Sequence, residues 1–180
     1  RLDYSTGSEA FLLEPQSTNL VPYSEDFSQW ALGANTQLSS SNNLAPSGVL
    51  SAYKYRSINA VGNTYVLRNI GGLINNTTYT FSVWVRADDP SAITVGKLCA
   101  VNMTNGGQYD YIDVSELTTE WKRVSVTVTS ATSSTAQCFL ATDWSVGTEI
   151  EFWGAQLEQR LTATSYIPTQ GASATRNQEL

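Results

Sequence analysis

Alternation of apolar and polar residues with a period of two restricts this chain more than any other feature. In Tyr79–Arg86 (YTFSVWVR), Tyr79, Phe81, Val83 and Val85 share one side of an extended backbone, and Thr80, Ser82, Trp84 and Arg86 share the other. Trp121–Thr129 repeats the pattern, with Val124, Val126 and Val128 inward and small hydroxyl residues outward. Such a period does not fit a helix, so both segments predict strands with one buried face. Further strands are predicted over 37–41, 51–58, 64–70, 92–103, 108–114, 136–143 and 149–157. Turn-forming clusters separate them: Gly71-Gly72, Asn75-Asn76, Asp88-Asp89-Pro90, Asn105-Gly106-Gly107 and Ser145-Val146-Gly147. One stretch reads as helical, Ser24 to Trp30, with Ser24 as its cap and the carboxylates of Glu25 and Asp26 at its positive end. Strands that follow one another without intervening helices predict an all-β fold, a jelly-roll-type β-sandwich of two antiparallel sheets.

A chain of 180 residues fits one such domain. The expected organisation is a lead-in over 1–20, the sandwich over 21–168 and a polar connector over 169–180. The lead-in holds a short strand, Arg1 to Tyr4, and an apolar piece, Phe11 to Leu13. Beginning at Arg1 and entering a strand at once, the chain reads as a segment of a longer polypeptide. Charged residues make up 14%, against about 25% in a typical globular domain. Ser, Thr, Asn and Gln fill the difference, a composition suited to an extracellular β-protein. With a net charge of -6 and ten scattered basic residues, the chain cannot offer a phosphate-neutralising stripe, which excludes a nucleic-acid partner. No apolar run reaches the roughly 18 residues of a membrane-spanning helix, so a soluble chain without a membrane partner is expected.

The chain contains no histidine. Ser-His-Asp and Cys-His catalysis are therefore excluded, and the commonest zinc ligand is absent. A carboxylate pair for glycoside hydrolysis could be drawn only from scattered residues such as Asp110, Asp113, Glu149 and Glu151, and any acidic β-protein offers as many. No enzyme is predicted. Cys99 and Cys138 are too few for a disulfide scaffold or a metal cage; they read as buried thiols, with a bridge open only if their strands are neighbours. No cofactor is expected. Calcium stays open as a structural ion, with Glu25 and Asp26 as the candidate ligands, although a helix N-terminus explains the same pair.

Five Trp and nine Tyr beside only five Phe make the aromatic content informative. These rings join an apolar face to a polar edge, which suits stacking on the C–H face of a pyranose while amides and Arg bond its hydroxyls. Trp30, Trp121 and Trp153 read as packing residues. Trp84 and Arg86 alternate away from the core and form a candidate platform. Tyr109 and Tyr111 share a strand face, and Trp144 stands at a strand end. These five are the candidate glycan contacts.

Two motifs carry a family resemblance. The opening Leu12-Leu13-Glu14-Pro15-Gln16-Ser17-Thr18-Asn19-Leu20, followed by Tyr23-Ser24-Glu25-Asp26-Phe27 and Trp30, resembles an opening common in bacteriophage tail and fibre proteins. The close, Phe152-Trp153-Gly154-Ala155-Gln156-Leu157-Glu158 and then Ala163-Thr164-Ser165-Tyr166-Ile167-Pro168-Thr169, resembles the end of those same domains. More remotely, the layout is similar to the jelly-roll carbohydrate-binding modules of polysaccharide-degrading enzymes. Those modules often hold a structural calcium between the N-terminal segment and an Asp on the last strand; here that strand reads Glu151-Phe152-Trp153-Gly154-Ala155 and lacks the Asp.

The resemblance implies a non-catalytic module of a virion appendage, on the virion surface, that binds host-surface carbohydrate. A second expectation is a spacer that packs against other virion subunits, in a trimeric fibre where Trp84 would be buried between chains. The third is a carbohydrate-binding module fused to a polysaccharide-degrading enzyme.

Overall fold

Two five-stranded antiparallel sheets face each other in the computed structural model, which describes residues 2–3, 10–11, 14–59, 64–103, 110–130, 134–143 and 146–178. In chain order the strands are β1 Leu2–Asp3, β2 Ala10–Phe11, β3 Ser17–Asn19, β4 Ala31–Leu32, β5 Thr36–Ser40, β6 Tyr53–Ser57 and β7 Tyr65–Gly71. They continue with β8 Thr78–Arg86, β9 Lys97–Asn102, β10 Asp110–Asp113, β11 Lys122–Thr129, β12 Thr135–Thr142, β13 Glu149–Glu158 and β14 Ala174–Arg176. The first sheet runs β11-β8-β13-β6-β5 and the second β10-β9-β12-β7-β4; β1 pairs with β2, and β14 with β3. Among the described residues there is no α-helix. This is the jelly-roll sandwich that the alternation implies.

The inward faces behave as their sequence dictates. Tyr79, Phe81, Val83 and Val85 of β8 are at most 2% exposed. Val124 and Val128 of β11 are buried beside them, and β11 follows β8 in unbroken register from Lys122 to Thr129. On the second sheet Val66, Ile70, Leu98, Val101, Ala136, Cys138 and Leu140 close the core from the opposite side. Cys99 and Cys138 are separate buried thiols, and burial pushes both thiol pKa values up, which keeps them protonated and inert.

β13 keeps its alternation only by breaking it once. Gly154 has φ +66°, a left-handed conformation that favours glycine, and the register with β8 shifts between Trp153 and Gln156. Ile150, Phe152, Ala155 and Leu157 therefore face the core, while Glu151, Trp153, Gln156 and Glu158 face outward. A Cβ at Gly154 would meet Trp84 Cδ1 at 3.2 Å and Tyr166 Cε2 at 3.3 Å.

That outward face is not solvated. Chain segments 14–24 and 158–170 lie across it, so that Thr80, Ser82, Gln156 and Glu158 are completely buried. Glu158 accepts hydrogen bonds from Ser17 Oγ (2.6 Å), Thr164 N (3.0 Å) and the Thr164 hydroxyl. Asn19 donates to Ala155 O and Ile167 O and accepts from Leu157 N and Val21 N. Gln156 Oε1 accepts from Ile167 N at 2.7 Å, and Glu14 pairs with Arg176 at 2.8 Å. Glu158, Asn19 and Gln156 thus have partners, as a low-dielectric interior favours, whereas Arg176 Nε and Nη2, Arg123 Nε and Trp84 Nε1 are buried without one. The helix expected over Ser24 to Trp30 is a single 3-10 turn, Phe27–Gln29, and Asp26, not Ser24, caps it by accepting from Ser28 N. Ser24 is drawn away into the clasp, where its hydroxyl meets Tyr166 OH at 2.6 Å and accepts from Thr169 N. The strand expected over Arg1 to Tyr4 is described at Leu2–Asp3 alone, and Phe11 to Leu13 at Phe11 alone.

Candidate functional site

The outer face of the second sheet is built by three rows of residues that the pairing places side by side. Opposed residues of an antiparallel pair share a face. Asn69 of β7 stands opposite Gln137 of β12, which stands opposite Asn102 of β9, giving a row of amides. Ala31, Leu67, Phe139 and Ala100 form the next row, which is apolar. Tyr65, Thr142, Lys97 and Asp113 form the third. The rows stay aligned because Leu140–Ala141 of β12 and Leu98–Cys99 of β9 each turn two successive residues into the core; Cys99 reaches this with φ +48°.

Phe139 and Ala100 are 5% and 0% exposed, yet neither joins the sandwich core. They are buried on the outside. The Phe139 ring meets the half-buried Tyr65 ring edge-on, with centroids 6.1 Å apart. Asn102 donates to Gln137 at 3.4 Å. At the β10 end, Tyr111 is 45% exposed and Lys97 Nζ lies 5.5 Å from its ring centre while pairing with Asp143. At the β4 end the face opens into a groove of about 440 Å³ lined by Gln29, Leu67, Arg68 and Asn69 among others. Arg68 is fixed there, donating to Gln29 O at 2.7 Å with its guanidinium 5.4 Å from the centre of the Tyr23 ring. At its rims this face offers the half-buried Tyr65 ring, the exposed Tyr111 ring and amide donors and acceptors.

Of the residues picked out in the sequence, Tyr111 stands on this face. Tyr109 and Trp144 lie outside the described residues. Trp84 and Arg86 are on the other sheet, and neither forms an open platform. Trp84 is half-buried in a small aromatic cluster with Trp153, Trp121 and Tyr166, where the Trp153 and Tyr166 rings lie 4.6 Å apart. Within this chain its cover includes Tyr166 of the segment 158–170. Arg86 donates to Glu151 Oε2 at 2.9 Å and pairs with Asp88 at 2.9 Å. Burial acts to lower the Arg86 pKa, but the bonds and charges of Glu151 and Asp88 outweigh it and raise the value. The guanidinium is committed to its own sheet.

The carboxylates named as metal ligands have protein partners. Asp26 accepts from Ser28 and from Tyr53 OH at 3.0 Å; the Ser28 hydroxyl bond above all lowers its pKa, and with Tyr53 and the Ser28 amide it outweighs the opposing effect of burial. Glu25 accepts from Tyr166 OH at 3.0 Å, and burial, above all, raises the pKa of that tyrosine. Among the described residues no three His, Cys, Asp or Glu side chains gather to hold a metal ion. Nor is any helix there long and apolar enough to cross a membrane.

Sequence reasoning missed Tyr65, Asn69, Gln137 and Phe139. The strands themselves are legible, but the double inward step at Leu140–Ala141 breaks the alternation that would tell which residues face out.

The jelly-roll sandwich thus has one face covered by the clasp and another lined by amides and rings, buried along its middle at Ala100, Asn102, Phe139 and Thr142 and exposed at its rims at Asn69 and Tyr111. Residues 24–145 match the family described as "Carbohydrate binding domain", and the chain belongs to that family. No curated protein sequence is significantly similar. Among solved structures, the enzymatically active domain of tailspike protein 4 of bacteriophage CBA120 superposes with a TM-score of 0.56 at 10% identity, over 77% of this chain and 21% of that one. The CBM22-1–GH10 modules of a Clostridium thermocellum endo-1,4-beta-D-xylanase, complexed with xylohexaose, give 0.55 at 13% identity, over 86% of this chain and 30% of that one. The carbohydrate-binding module TmCBM61, complexed with beta-1,4-galactotriose, gives 0.55 at 16% identity, over 79% and 99%. The chain thus spans about a fifth of the tailspike and under a third of the xylanase, and nearly all of the isolated module. These likenesses concern the fold.

Proposed function

We propose that this carbohydrate-binding module holds its glycan on the outer face of the second sheet and serves in a phage virion appendage directed at host-surface polysaccharide. The observation that carries the site is the half-buried pair Tyr65 and Leu67 beside the exposed Asn69 and the half-buried Gln137. Phe139 and Ala100, buried outside the core, support this strip without offering surface themselves. A pyranose needs those two things at once, a surface for its C–H face and fixed amides for its hydroxyls. The family is one of binding domains, and the chain lacks histidine.

The phage setting is supported by the opening and closing motifs. They meet in the clasp, where Glu14, Ser17 and Asn19 of the first bond Ala155, Leu157, Glu158, Ser165 and Ile167 of the second. The family match favours a second setting, beside a polysaccharide-degrading enzyme, and the sequence flanking residues 1 and 180 distinguishes the two.

The test is an array of bacterial envelope polysaccharides that also carries xylohexaose and beta-1,4-galactotriose, together with fluorescent protein applied to a panel of bacteria. Binding to at least one glycan is expected, and staining that disappears when surface polysaccharide is stripped. Absence of binding at millimolar sugar contradicts the site; binding to plant polymers alone, with unstained cells, contradicts the phage setting.

A further inference from the structure

β11 is an edge of the first sheet, paired with β8 on one side for eight residues without a register shift. Alternate residues of such a strand turn their N–H and C=O groups outward, and an uncovered row of them is a template for another strand. Proteins blunt their edges with short strands, charges, prolines or bulges, and the other edges here are blunted or brief. β4 has two residues, β10 has four with a register shift and an aspartate at each end, and β5 has five. Val124–Thr129 (VSVTVT) has no charge, no proline and no bulge. Over the same edge stands Leu161, the most exposed large apolar side chain among the described residues at 74%, its carbonyl accepting from Thr127 Oγ1 at 3.3 Å.

We propose that β11 is a pairing edge and that its occupant is β11 of a second copy of this chain. The strand is its own complement. With a two-fold axis at Val126, Val124 faces Val128 of the second copy, Ser125 faces Thr127, and Val126 faces itself. Arg123 then falls opposite Thr129 and Lys122 opposite Ser130, so no like charges oppose each other across the ladder. The partly buried Val126 and the bare Leu161 both gain cover.

An antiparallel pair within one continuous sheet has its two-fold perpendicular to that sheet. Both second sheets therefore lie on the same side, and both open faces point the same way. Resting on the glycan site proposed above, this makes the pair a bivalent binder of a surface polysaccharide, in which the second contact forms at high effective concentration.

Sedimentation of the whole chain from micromolar to near-millimolar concentration tests the pairing. Wild type is expected to rise from the mass of one copy to that of two. Ser125→Lys, at an exposed position on the edge, is expected to stay at one copy with an unchanged melting temperature, whereas Ser40→Lys on the β5 edge is expected to dimerise like wild type. Amides of Val124–Thr129 should gain hydrogen-exchange protection with concentration. One-copy mass throughout, a three-copy mass, or a two-copy mass that survives Ser125→Lys would overturn the proposal. Glycan binding by a one-copy protein would leave the site standing without the pairing; a two-copy protein that binds no glycan would do the reverse.

Discussion

On the first sheet the outward residues Thr80, Ser82, Gln156 and Glu158 are buried beneath the chain's own terminal segments, whereas on the second sheet the outward Asn69 and Tyr111 stand in solvent. Both faces arise from the same alternation. What separates them is the clasp, a network in which Glu158, Asn19 and Ser24 bind segments more than 130 residues apart in sequence. The first face is closed by the clasp, whereas the second is buried only along its middle, at Ala100, Asn102, Phe139 and Thr142, and the glycan site proposed above uses its exposed and half-buried rim. Aromatic content does not distinguish them, since Trp84, Trp153 and Tyr166 serve the clasp while Tyr65, Phe139 and Tyr111 line the open face.

The sharpest way to break this division is Glu158→Ala. It strands the Ser17 hydroxyl and the Thr164 amide, removes the shorter bond of the Thr164 hydroxyl, and takes from Arg123 the stronger of its two carboxylate countercharges, leaving Glu14. A loss of about 3–5 kcal/mol of unfolding free energy is expected in denaturant titration, with glycan affinity of the folded fraction unchanged. Trp84→Ala comes next, at about 2–4 kcal/mol, below a full core cavity because the ring is half-buried. It too should leave glycan affinity at the wild-type value; a large affinity loss without a stability loss would return the site to the first sheet.

Tyr65→Ala should reverse the pattern. An affinity loss of about tenfold, or roughly 1.4 kcal/mol, is expected by titration calorimetry, with a smaller change in melting temperature than Trp84→Ala causes. The smallest effect concerns Asp26, whose carboxyl is held below the usual range chiefly by the Ser28 hydroxyl. A lowered folded-state pKa adds stability above the usual carboxylate range, and that stability is lost as pH falls through the folded value. The melting temperatures of wild type and Asp26→Asn should therefore converge on acidification; a gap that widens instead would contradict the capping role.

The strands and their division into a sandwich were legible because β8 and β11 obey a period of two without interruption. The clasp was half legible. Its residues stand in the two terminal motifs, but nothing local says that Ser17 reaches Glu158, so Trp84, Thr80 and Ser82 read as solvated. The open face was least legible, because the paired inward steps at Leu98–Cys99 and Leu140–Ala141 hide which of their neighbours point out. Gly154 breaks the alternation of β13 in another way, placing two residues between the inward Phe152 and Ala155, and there a glycine marks it.

Residue-resolved amide shifts during titration with a glycan that binds on the array test the division most directly. Shifts confined to β7, β9, β10 and β12, with silence at Trp84, Arg86 and the strap over 158–170, are the expected result. Shifts that begin at Trp84 and Arg86 and leave Tyr65, Asn69 and Gln137 unmoved would contradict it.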